Sequence, residues 1–114
     1  MKKVLVTGAS GFIGRYTLQH LTDYGYEVHA VYNSNYPKKD LKYNWHQANI
    51  LEQVEIEKII VEVKPEYLLH LAWETEHGLF WNSQKNIKWV SASMNLVEKF
   101  KMNGGQRIVA VGTC

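Results

Sequence analysis

The chain has 114 residues, 46% apolar and 21% charged, with a net charge of +2; this suits one small soluble domain with its own core. The lysines are scattered apart from Lys2-Lys3 and Lys38-Lys39, so no basic stripe argues for nucleic acid. The single cysteine, Cys114, excludes an internal disulfide and a zinc spacing; no signal peptide opens the chain, and no apolar run nears the ~20 residues that span a bilayer, so a cytoplasmic protein without metal or membrane partners is expected.

In chain order, Val4-Leu5-Val6 is a short continuous apolar run, as in a strand buried on both faces of a parallel sheet. A glycine-rich turn follows. Ile13, Tyr16, Leu21 and Tyr24 then fall at helical spacing, with Gly25 placed as a C-terminal cap. Val28 to Tyr32 reads as a second strand, and the polar residues 33–44 as a loop. Tyr43 to Ala48 holds a short third strand. Leu51, Val54, Ile56, Ile59, Ile60 and Val63 mark one face of a helix that Pro65 ends. Tyr67 to Ala72 is a fourth strand, residues 73–83 an aromatic loop. Ile87, Val90, Met94, Val97 and Lys101 outline a longer helix stopped by Asn103-Gly104-Gly105, and Arg107 to Gly112 is a fifth strand. Such alternation predicts an α/β fold, a doubly wound parallel sheet with helices on both faces, in one domain with no internal boundary.

The turn after the first strand carries the chemistry. Gly8, Gly11 and Gly14 are spaced G-x-x-G-x-x-G. A diphosphate at such a turn needs a sharp strand-to-helix corner, close backbone approach without a Cβ, and helix N–H groups aimed at the anion. Glycines at these points supply all three. The bland alternative is a tight βα turn with no ligand. The position between a predicted strand and a predicted helix favours the dinucleotide.

Lys3-Val4-Leu5-Val6-Thr7-Gly8-Ala9-Ser10-Gly11-Phe12-Ile13-Gly14 resembles the opening of the NAD-dependent epimerase/dehydratase family, the extended short-chain dehydrogenase/reductases. Four further stretches resemble the family in the expected order. Ala48-Asn49-Ile50 resembles the segment that touches adenine, with Asn49 where the family usually has Asp. Pro65 to Ala72 resembles the fourth strand, P-D-x-V-x-H-L-A-A, with Trp73 replacing the final alanine. Asn95-Leu96-Val97-Glu98 resembles N-L-L-E, and Arg107 to Thr113 resembles the fifth strand.

The resemblance implies a Rossmann-type sheet of order 3-2-1-4-5, residues 1–114 being the N-terminal portion of one NAD(P)-binding domain that stops after its fifth strand. It implies hydride transfer through a bound nicotinamide, in an epimerase, dehydratase or reductase acting on a nucleotide sugar, and a homo-oligomer as the working form. The residues it assigns to the cofactor are Gly8, Ser10, Gly11, Phe12, Ile13 and Gly14 for the phosphates, Tyr32 and Asn33 near the adenosine ribose, Asn49 and Ile50 at adenine, and Leu71, Ala72 and Trp73 at the nicotinamide side. Thr113 matches the catalytic hydroxyl at the end of the fifth strand. The family's acid/base pair, Y-x-x-x-K, occurs nowhere in these 114 residues, so the chain alone is expected to be inactive. Trp89 stands where the family commonly has Asn. That departure, with Asn49, keeps a second reading open: a non-catalytic NAD(P)-binding sensor or scaffold module.

Neither Tyr32 nor Asn33 is the acidic residue that holds a ribose 2′-hydroxyl, nor the Arg that greets a 2′-phosphate. NAD and NADP therefore both stand, with Lys38 and Lys39 read chiefly as a solvated pair. His70 is read as a packed strand histidine rather than a base. Trp73, His77, Phe80 and Trp81 either stack on a ring or cover the sheet edge, and Glu74 and Glu76 are read as solvated loop carboxylates in preference to acid/base groups of a dehydratase. The fifth strand, Ile108 to Val111, is expected to present an uncovered apolar edge that leads to self-association or to a disordered C-terminus.

Overall fold

A computed structural model describes residues 2–8, 12–32, 43–71 and 84–110, the backbone alone at 12–15 and 84–89. The elements in order are β1 (Lys3–Thr7), α1 (Phe12–Asp23), β2 (Glu27–Tyr32), β3 (Asn44–Gln47), α2 (Gln53–Val63), β4 (Tyr67–His70), α3 (Gln84–Met102) and β5 (Arg107–Ala110). All four pairings are parallel, and the sheet runs β3-β2-β1-β4-β5. This is the predicted order, with β1 central: the chain moves outward from β1 to β3, then crosses back to the other side of β1 for β4 and β5.

The two-residue period of each strand divides the core into two faces. Val4, Val6, Val28 and Ala30 pack with Leu18 of α1 on one side. Leu5, Val31 and Leu68 pack on the other side with Ile56, Ile59, Ile60 and Val63 of α2 and Ala92, Leu96 and Phe100 of α3. Helices thus cover both faces of β1, which is why its apolar run is unbroken.

Both Gly25 and Gly104 adopt left-handed backbone, at φ of 89° and 91°. Gly25 N–H donates to Thr22 O and Tyr26 N–H to Leu21 O; Gly104 N–H donates to Lys101 O and Gly105 N–H to Phe100 O. These paired 5→2 and 6→1 bonds cap the last carbonyls of α1 and α3. α2 ends instead on Lys64, left-handed at φ 52°, whose N–H returns to Ile60 O; Pro65 then bars further helix.

Three helix faces differ from expectation. In α1, Leu18 is the fully buried anchor and Leu21 is partly buried, whereas Tyr16 and Tyr24 are exposed. Tyr16 lies about 200° round the helix from Leu18 and stacks on His20 on the solvent side. In α2 the inner ridge begins at Ile56, leaving Val54 exposed. In α3 the inner ridge is Ala92, Leu96 and Phe100, turning Val90 and Met94 outward. Strand ends also shift: β2 begins at Glu27, and β4 stops at His70.

Candidate functional site

Parallel strands deliver their C-terminal ends to one edge of the sheet, and a crevice opens there where neighbouring strands send their chains to opposite faces. In this protein that point lies between β1 and β4. β1 ends at Thr7, Gly8 follows with φ 68°, and α1 starts at Phe12. A left-handed residue at that corner is one that a Cβ would strain. Among the sequence-predicted phosphate residues, Gly8 is therefore seen making the turn. Phe12, Ile13 and Gly14 open the first turn of α1, whose first N–H groups have no partner within the helix and whose positive dipole end lies at the same edge. Ser10 and Gly11 lie outside the described residues.

Thr7 and His70 form the last rung of the β1–β4 pairing. Thr7 Oγ1 lies 2.6 Å from His70 Nδ1, and His70 Nε2 lies 2.8 Å from Ser93 Oγ of α3. Leu71 N–H donates to Thr7 Oγ1 at 3.1 Å and to Thr7 O at 3.2 Å. Thr7 is fully buried and His70 is 5% exposed. Burial lowers the His70 pKa, so the imidazole is neutral at physiological pH. Neither Thr7 nor Ser93 was singled out in the sequence. The available signals were a hydroxyl ending an otherwise apolar strand, and a serine on the helix flank beside Ala92 and Leu96.

The residues expected at the adenosine side lie at and just beyond the neighbouring strand ends. Tyr32 closes β2, pairs in register with Gln47, and packs edge-on against Trp45. Asn49 makes a tight local turn: its Oδ1 accepts from Leu51 N–H at 3.0 Å, and its carbonyl accepts from Glu52 N–H at 2.9 Å. An aspartate at this position would fill the same acceptor role. Ile50 is buried in the α2-side core, so its side chain is a packing group. Leu71, just past β4, is partly buried on the α1 side. Asn33, Ala72, Trp73 and Thr113 lie outside the described residues, as do His77, Phe80 and Trp81. Among the described residues no cluster of histidine, cysteine and carboxylate side chains could hold a metal ion, and no helix is long and apolar enough to cross a membrane.

Residues 4–114 match the profile of the NAD dependent epimerase/dehydratase family. The chain belongs to that family. Solved structures resemble this epimerase/dehydratase fold over nearly its whole length. A UDP-glucose 4-epimerase from Thermotoga maritima, solved with UDP-glucose, is 27% identical with a TM-score of 0.85, over 97% of this chain and 38% of that one. A UDP-glucose 4-epimerase from Thermus thermophilus, solved with NAD, is 20% identical with a TM-score of 0.83, over 93% of this chain and 36% of that one. A monomeric L-threonine 3-dehydrogenase from a metagenome is 21% identical with a TM-score of 0.79, over 91% and 34%. The chain thus spans little more than a third of the length of these structures. At this identity the last two establish the shared fold.

Proposed function

We propose that this chain forms the cofactor-binding portion of an NAD-dependent enzyme that moves hydride to and from a sugar nucleotide to epimerise, dehydrate or reduce it. The observation that carries the reading is the corner at Gly8, set in the central strand at the sheet's reversal point and leading into the N-terminus of α1. Its amides and helix dipole suit a diphosphate. In this reading Gly8, Ser10, Gly11, Phe12, Ile13 and Gly14 hold the pyrophosphate. Tyr32, Asn33, Asn49 and Ile50 border the adenosine, with Ile50 contributing backbone since its side chain is buried. Leu71, Ala72 and Trp73 border the nicotinamide ribose.

The bound nicotinamide supplies the hydride chemistry. The chain's own part is to bind and orient it and to keep water from its reactive face. β5 lies parallel beside β4, and its C-terminal end, Ala110, is level with His70, which supports Thr113, three residues on in the sequence, as the hydroxyl that bonds the reacting substrate oxygen. Proton exchange needs a tyrosine–lysine pair that the 114 residues lack, so the chain alone binds without turnover. NAD is favoured over NADP by the family's description.

Titration with NADH and NADPH, followed by nicotinamide and tryptophan fluorescence, tests the reading. Saturable binding of NADH, weaker for NADPH, is expected. No saturable signal with either overturns it.

A further inference from the structure

Three elements meet at the crevice floor, and one side chain touches the other two elements at once. His70 bonds Thr7 of β1 through Nδ1 at 2.6 Å and Ser93 of α3 through Nε2 at 2.8 Å. Thr7 Oγ1 also receives the amide of Leu71 at 3.1 Å, so the first residue beyond β4 is tied into the same row. A neutral imidazole has one donor and one acceptor nitrogen. The row therefore runs in a single sense between the two hydroxyls, with no net charge at a site where an uncompensated one would be costly. A packed apolar residue would fill this space as well. What a ring with two opposed nitrogens adds is a directional bond from β4 to β1 at the last rung of their pairing and another from β4 to α3.

The termini it joins are the ones that matter. Thr7 leads straight into Gly8, and Leu71 leads into the segment assigned to the nicotinamide side. We propose that His70 is a positioning residue, holding the two walls of the dinucleotide crevice in register by bridging Thr7 and Ser93 through its ring nitrogens. The proposal rests on the dinucleotide reading above. It assigns His70 neither proton transfer nor contact with the cofactor.

The test compares NADH affinity among wild type, His70→Phe, His70→Asn, Ser93→Ala and Val63→Ala. Phe keeps the ring and loses both bonds. Asn places its amide near Nδ1 and keeps the Thr7 link. Val63→Ala lowers stability from α2, away from the row. Losing both bonds is expected to weaken NADH binding about tenfold. His70→Asn and Ser93→Ala should fall between that variant and wild type, while Val63→Ala binds as wild type. The pair Thr7→Val and Ser93→Ala, whose side chains His70 bridges, should combine less than additively in affinity. If His70→Phe does not fold, Ser93→Ala and its cycle with Thr7→Val carry the test. Imidazole ¹⁵N shifts of the unliganded protein at pH 8 should show one fixed tautomer. Wild-type affinity in His70→Phe, additive effects in the cycle, or a tautomerically averaged ring overturns the positioning role alone. Failure of wild type to bind NADH overturns the dinucleotide reading, and the positioning role with it.

Discussion

Two described histidines, His46 and His70, sit below the ordinary imidazole value. His46 is held below its ordinary value first by burial and then by His29, whose Nδ1 lies 2.9 Å from His46 Nε2. His70 is lowered by burial. Near the ordinary imidazole value of about 6.5, the unfolded chain binds protons that the folded chain refuses, so stability rises with pH through that range and falls on acidification. The Glu27 carboxyl is lowered by its 2.6 Å bond to His29 Nε2, which adds a loss in the same direction at lower pH. Urea unfolding is expected to show a falling midpoint from pH 7 to 5, with a shallower slope in His46→Gln. A flat profile, or an unchanged slope in that variant, contradicts this. The glycine corner was legible in the sequence, because Gly8 takes a backbone that other residues avoid. The Thr7–His70–Ser93 row was not, because its members lie 63 and 23 residues apart and only the folded register brings them together.

Among the elements, the strands were easier to read than the faces of the helices. A run such as Val4-Leu5-Val6, buried on both sides, leaves no face to choose. On α1, tyrosines mimic an apolar stripe while their hydroxyls and edges tolerate water, so Tyr16 and Tyr24 misplace the inner face. On α3, Val90 and Met94 compete with the true ridge of Ala92, Leu96 and Phe100; the small Ala92 is a weak signal, although it lets the helix approach the sheet. The stop at Asn103-Gly104-Gly105 was legible and has a packing reason. A Cβ built on Gly105 would collide with the ring of Phe100, which is 1% exposed. Gly105→Ala is therefore expected to cost about 1–3 kcal/mol by overpacking, read from denaturant midpoints. A cost near zero would mean that the Phe100 ring shifts freely.

The whole molecule shows an imbalance between its two sheet faces. α2 and α3 cover one, but α1 alone packs on the other among the described residues. A cleft of about 200 Å³ is left there, lined by Leu21, Tyr26, Tyr67, Leu69 and Val109 with Arg107 at its rim. Val109 is 53% exposed on β5, the strand whose free side is the sheet edge in the described structure. Exposed apolar edges of this kind invite pairing. Sedimentation velocity on this chain is expected to show concentration-dependent self-association that Val109→Lys reduces. A strictly monomeric wild type contradicts this.

The central claim is that a dinucleotide diphosphate sits where β1 turns into α1. Amide ¹H–¹⁵N shift mapping during titration with NAD tests it most directly. Saturable shifts are expected at Gly8, through the first turn of α1 and at Leu71, with α2 unmoved. Shifts confined to α2 and β5, or none at Gly8 at saturation, would contradict it.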